Sequence, residues 1–237
     1  MALVFDIETI GYDYDNLDET TQVSLNRWIK RQAAGNKKTY NVLLADLKEG
    51  LGFSPLTAKI VALGVYDTRV HKGVVYFQSP DREASDRKDG SFVFKVKTEP
   101  EIINLFWEGA KRYKRFISFN GRSFDLPFII LRGAKYKIKP SVDLMSRRYL
   151  NLNSTSLQHV DLFDQLSYYG AVRRRGNLHL FCKLFGIRSP KGEGITGDDV
   201  GRLFKQKKYF EIAEYNSWDL IATAELYKIW KDYIKTP

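Results

Sequence analysis

Apolar and polar positions divide the chain into short runs with the periodicities of strands and helices. ALVFDIET at the start is apolar, β-branched and aromatic, which predicts a buried strand over residues 2–8. KIVALGVY (59–66) and GVVYFQS (73–79) repeat the pattern, and SFVFKVK (91–97) offers an extra strand after the polar loop DREASDRKDG. A helix over 100–113 leads to a fourth strand at 115–119. A helix over 124–135, with Phe124, Phe128, Ile129 and Leu131, is followed by a short strand at 159–163. Helices over 177–186, 198–206 and 209–233 complete the pattern, and the last contains neither Pro nor Gly.

The connector from Ile10 to Pro55 is long for a loop, and Leu25, Trp28, Ile29 and Gln32 fall at helical spacing, so one or two helices are expected there. Two readings of it stand level. With Arg27, Lys30, Arg31, Lys37 and Lys38 it could grip single-stranded nucleic acid through cations and aromatic stacking, or it could be a flap that packs Trp28 into the body. No repeat, low-complexity tract or linker is evident, so one domain over 1–237 is expected, with a helical insertion at about 10–57.

Charge narrows the partners. Thirty-eight Lys and Arg stand against 28 acids, a net charge of +10, and a basic surface attracts polyphosphate chains by counterion release. The single cysteine, Cys182, permits no internal disulfide, and His71, His159 and His179 are too scattered for a zinc site. No secretion signal fits the first residues, and no run reaches the ~18 apolar residues of a membrane span. A soluble, cytoplasmic protein without a membrane partner is expected.

The chemistry sits in three blocks: VFDIET, FNGRSFD and YNSWD. Asp6 and Glu8 are two apart on a strand and so share a face, where two acids repel and lose solvation unless a cation joins them. A strand end with two solvated acids is the plainer reading. Asp125 falls near a helix start, a favourable place for any carboxylate. Tyr215 and Asp219, four apart, share a helix face. Together, four carboxylates and a phenol suit a site for two divalent cations held ~3.5–4 Å apart, which stabilise the attacking and leaving oxygens of an in-line displacement.

FDIET, N-x-x-x-F-D (Asn120 to Asp125) and Y-x-x-x-D (Tyr215 to Asp219) resemble the three exonuclease motifs of the DEDD superfamily, in its DEDDy branch. More closely, the chain resembles stand-alone 3′–5′ exonucleases related to the proofreading domain of family B DNA polymerases. HVDLFDQL (His159 to Leu166), NLHLFCKLFGI (Asn177 to Ile187) and PKGEGITGDDV (Pro190 to Val200) look like that group's intervening segments. The likeness covers the chain apart from 10–57 and 80–97.

This resemblance implies an α/β, RNase H-like fold with a mixed five-stranded sheet of order 3-2-1-4-5 flanked by helices, strands one, four and five being parallel. It implies two divalent cations, Mg²⁺ or Mn²⁺, held by Asp6, Glu8, Asp125 and Asp219, with Asp6 bridging and Asp125 acting largely through the ion's hydration shell. Tyr215 would orient the attacking water, since a phenol of ordinary pKa near ~10 is a poor base at neutral pH. Thr9 and Asn120 match positions that contact the terminal nucleotide and strand. Phe124 would be core or a base-stacking wedge. The run Arg173, Arg174, Arg175 after Tyr168 and Tyr169 would contact backbone phosphates or form a solvated turn. A structural role is expected for His159.

Three functions follow. The leading one is a metal-dependent 3′–5′ exonuclease on single-stranded DNA, releasing nucleoside 5′-monophosphates in replication or repair. The others are a 3′–5′ exoribonuclease and a catalytically silent nucleic-acid-binding module.

Overall fold

The computed structural model describes residues 2–150, 156–174, 176–190, 194 and 196–235. Strands β1 (Ala2–Gly11), β2 (Ala58–Asp67), β3 (Lys72–Phe77), β4 (Arg87–Asp89), β5 (Phe92–Val96), β6 (Arg115–Ser118) and β7 (Gln158–Asp161) form one sheet of order β4-β5-β3-β2-β1-β6-β7. The expected five-stranded order is present as β3-β2-β1-β6-β7, with β1, β6 and β7 mutually parallel and β1, β2 and β3 antiparallel.

The strand count is corrected from five to seven. The extra strand expected at 91–97 is β5, which joins β3 in parallel. β4 lies in the stretch read as a polar loop: Arg87, Lys88 and Asp89 are all exposed, so no hydrophobic alternation marks them. It pairs with β5 through a tight turn at Gly90, whose φ of 53° is in the left-handed region. The Asp89–Gly90 dipeptide is the hairpin signal that could have revealed it.

Helices α1 (Glu19–Ala33) and α2 (Lys37–Gly50) fill the connector after β1, capped by Asp18 on the Thr21 amide and Asn36 on the Thr39 amide. α1 buries Ile29 and Ala33, but Trp28 is 46% exposed and α2 buries nothing fully. Trp28 therefore does not pack into the body as a flap. α3 (Glu99–Ala110), α4 (Asp125–Lys135), α5 (Leu162–Leu166), α6 (Leu178–Phe185), α7 (Val200–Lys205) and α8 (Tyr209–Ile229) follow. α5 was not anticipated. Asp161 ends β7 two residues short of the expected 163 because its carboxylate caps that helix at the Phe163 amide. Among the described residues, no helix is long and apolar enough to cross a membrane.

The alternation of β1 sorts the core. Leu3, Phe5 and Ile7 face α3 and α4 with Ile103, Phe106, Trp107 and Ile129. Ala2 and Val4 face the other layer, with Leu220 and Leu226 of α8. Asp6 and Glu8 continue this second face, so the end of β1 carries them under α8.

Candidate active site

β1 and α8 bring Asp6, Glu8 and Asp219 together, with one carboxylate oxygen from each lying within 4.8 Å of the others. Glu8 is buried, and Asp6 and Asp219 are half-buried. Burial, and then the charges of Asp125, Asp219 and Glu8, push the Asp6 carboxyl well above its usual range. Burial and Asp219 do the same to Glu8. Such a set of converging, largely buried oxygen donors fits a hard divalent cation. The carboxylate cluster is thus a candidate metal centre.

Asp125, at the first position of α4, is buried beside this cluster. Its Oδ1 accepts the Ile7 amide at 3.0 Å, beyond Val4, where β6 ceases to pair with β1. This bond joins the second acidic motif to the strand of the first. Burial, joined by the charges of Asp161 and Asp219, pushes the Asp125 carboxyl up to about 8. Tyr215 is 5% exposed. Burial, the charges of Asp219, Glu8 and Asp6, and the hydrogen bond it gives Asp219 raise its phenol above the usual value. The Tyr215 hydroxyl therefore keeps its proton.

The other anticipated residues are placed differently. The Thr9 hydroxyl donates to the Gly52 carbonyl at 2.7 Å, tethering the turn after α2 to the site end of β1. Gly11 makes that approach possible, since a Cβ there would lie 2.8 Å from Leu51 Cβ. Asn120 adopts φ 64°, and its amide donates to Asp161 at 2.8 Å. Phe124 is half-buried, packed on Phe128 at 4.9 Å and facing the exposed Phe53 at 6.4 Å. Arg173 and Arg174 are exposed on the turn after α5, and Arg175 lies outside the described residues.

Two residues that the motifs did not reveal support the cluster. Asn216 is completely buried, and its Nδ2 donates to Asp6 Oδ2 at 2.8 Å. It fits only because β2 has Gly64 opposite Asp6: a Cβ at Gly64 would collide with Asn216 Oδ1 and come within 2.5 Å of Leu220. Asp161 accepts the amides of Asn120 and Arg122 at 2.8 and 2.9 Å, shaping the turn that delivers Asp125. An acid within HVDLFD was visible in the sequence, but its partners are distant along the chain. His159 is structural, as expected, with its ring between the Ser118 hydroxyl at 2.8 Å and the Leu144 carbonyl at 3.2 Å.

Residues 60–233 match the family described as predicted 3′–5′ exonucleases related to the exonuclease domain of PolB. The chain belongs to this family. The match begins within β2, leaving β1 with Asp6 and Glu8, and also α1 and α2, outside it. No curated protein matches the chain. Among solved structures, the family B DNA polymerase of the hyperthermophilic archaeon Pyrobaculum calidifontis is similar, with a TM-score of 0.55 at 16% identity. The similarity covers 96% of this chain and 24% of that one, so the chain spans about a quarter of the polymerase's length. At that identity the likeness is one of fold: a mixed sheet flanked by helices, RNase H-like.

Proposed function

We propose that this protein is a metal-dependent 3′–5′ exonuclease of the DEDDy type that removes nucleoside 5′-monophosphates from single-stranded DNA. The observation that carries the reading is the convergence of Asp6, Glu8 and Asp219 within 4.8 Å, with Tyr215 hydrogen-bonded to Asp219. Asp6, Glu8 and Asp219 would hold the cations directly, and Asp125, whose Oδ1 holds the Ile7 amide, would act largely through the ions' hydration shell. Two divalent cations, Mg²⁺ or Mn²⁺, would supply the charge that favours ionisation of the attacking water and stabilises the attacking and leaving oxygens.

The remaining work falls to the chain. Tyr215 stays protonated, donates a hydrogen bond to Asp219 and offers its oxygen to the attacking water, so it orients that water and takes no proton from it. Asn216 fixes the Asp6 carboxylate through Oδ2. The terminal nucleotide and its strand would be contacted from Asn120, Phe124 and Thr9. The attacking water gives one proton to solvent as its oxygen bonds to phosphorus, and the P–O3′ bond breaks. The shortened strand keeps the 3′-oxygen, which takes a proton from solvent. The whole chain acts as one catalytic domain, in the service of replication or repair.

The test uses 5′-labelled single-stranded DNA and the matching RNA with Mg²⁺, Mn²⁺ or EDTA. A ladder shortening from the 3′ end of the DNA, absent in EDTA and faster than on RNA, is expected. Faster trimming of the RNA would make the protein an exoribonuclease. Binding without cleavage of either strand would make it a silent module.

A further inference from the structure

Beyond the carboxylates, the most unusual backbone among the described residues lies just after α5. Tyr168, Tyr169 and Gly170 have φ of 49°, 56° and 96°, three consecutive residues in the left-handed region. L-residues visit that region singly and at a cost, and it belongs mostly to Gly and Asn. Two tyrosines in succession there are held by their surroundings. The Tyr169 hydroxyl receives the Gln165 side-chain amide at 2.7 Å and the Leu150 amide at 3.4 Å, and the Val172 amide closes on the Ser167 carbonyl at 3.1 Å.

The strained turn displays rings. Tyr168 is 63% exposed, while Tyr169 is half-buried and lies 4.8 Å, centroid to centroid, from Tyr149, itself 72% exposed. Burial therefore does not explain these aromatics. Arg173 and Arg174 follow within five residues, exposed and without an acidic partner among the described residues.

The cluster is also tied to the catalytic turn. The same Asp161 that holds the Asn120 amide holds the Arg122 amide. The Arg122 guanidinium donates to the Met145 carbonyl at 2.8 Å and to the Arg147 carbonyl. Arg148 then pairs through two bonds, at 3.0 and 2.6 Å, with Asp164 of α5, placing Tyr149 beside Tyr169. Asp125, five residues after Asn120, and the tyrosines are thus parts of one braced unit.

We propose that Tyr149, Tyr168 and Tyr169, with Arg173 and Arg174, form a second contact for single-stranded nucleic acid, on which unpaired bases 5′ of the cleaved end stack. The proposal rests on the exonuclease reading, since an enzyme working at a 3′ end has only upstream strand to hold. Rings that accept any base, flanked by cations for the phosphates, give sequence-tolerant grip.

The test measures binding in EDTA by fluorescence anisotropy, with 5′-labelled oligothymidylates from a dinucleotide to ~12 nucleotides. Affinity of the unaltered chain should rise with length. Tyr149→Ala and Tyr168→Gly should each reduce that rise by ~10-fold, the loss of about one stacked base. Glycine relieves the left-handed φ, so Tyr168→Gly should melt no lower than the unaltered chain while binding more weakly, a combination that a merely structural tyrosine would not produce. Undiminished length dependence in both variants, with 3′-end cleavage retained by the unaltered chain, would overturn the proposal alone. An unaltered chain that neither binds nor trims single strands would remove the exonuclease reading, and this proposal with it.

Discussion

Asp6, Glu8, Asp125 and Asp219 are expensive to keep together, and that cost is measurable. Asp219→Asn preserves shape while removing one negative charge from the buried group. In EDTA it should melt higher than the unaltered chain, by ~2–4 °C for each kcal/mol of repulsion relieved, and it should lose 3′-end cleavage. A lower melting temperature would show that Asp219 stabilises the metal-free fold. The pH dependence has a definite sign. Asp125 is raised to about 8 in the fold, so its contribution to stability is complete below the ordinary carboxylate pKa of ~4 and is lost as pH rises through about 8. Asp6 and Glu8 shift in the same direction. Between ~pH 6.5 and ~8.5 the urea midpoint in EDTA should fall, and excess Mn²⁺ should reverse the fall. Two buried groups can be told apart from the carboxylates. His159, pushed down to about 3 by burial, is neutral throughout this window. Cys182, pushed up to about 11 by burial, adds a slope of the same sign only above the ordinary thiol pKa of ~8.5, past this window. A midpoint equally pH-dependent with and without Mn²⁺ would separate the carboxylates from cation binding.

At the scale of elements, the site depends on how closely α8 approaches β2 and on how the turn before α4 is pinned. Gly64→Ala adds one methyl group where Asn216 and Leu220 already touch the strand. Overpacking of this kind costs ~1–3 kcal/mol, and here it should also pull Asn216 from Asp6 and lower cleavage, as urea titration and a nuclease assay would show. Unchanged activity would make the Asn216 contact incidental. Asp161→Ala leaves the Asn120, Arg122 and Phe163 amides without their acceptor. A loss of ~1–3 kcal/mol is expected for each one left unpaired, together with slower cleavage because the turn ahead of Asp125 loosens. Stability equal to that of the unaltered chain would show that water replaces the carboxylate. The body behind the site is braced independently. Glu99 accepts Arg132 at 2.8 and 2.7 Å and the Ile60 amide at 2.9 Å, locking α3, α4 and β2 together.

Across the whole molecule, the net charge of +10 would favour a polyanion while the carboxylate cluster itself is acidic. The exposed Arg173 and Arg174 make this testable. Replacing both with Ala should reduce the slope of log affinity against log salt by ~1.4 for single strands, about 0.7 per phosphate contact. An unchanged slope would place the bound strand elsewhere, with the bases of α1 as the next cations to examine.

The local content of the site was legible from the amino acids because it depends on short periods. Asp6 and Glu8 share a face two residues apart on a strand, and Tyr215 and Asp219 share one four apart on a helix, whatever surrounds them. The order β3-β2-β1-β6-β7 was anticipated too, but through the resemblance of the three motifs to a known family; the alternation of apolar runs located the strands without ordering them. β4 was not anticipated, because three polar residues on an exposed edge owe their shape to pairing with β5. Nor were Asn216 and Asp161, since an Asn within a helix and an Asp within HVDLFD look ordinary until Gly64 and Asp6, or Asn120 and Arg122, are packed against them. The reach of Asp125 Oδ1 to the Ile7 amide, 118 residues away, and the left-handed turn at Tyr168 and Tyr169 likewise arise only in the folded chain. Local periodicity decides which way a side chain points. Which carboxylate it meets depends on contacts between segments far apart in sequence, and those exist only once the sheet and α8 have closed on each other.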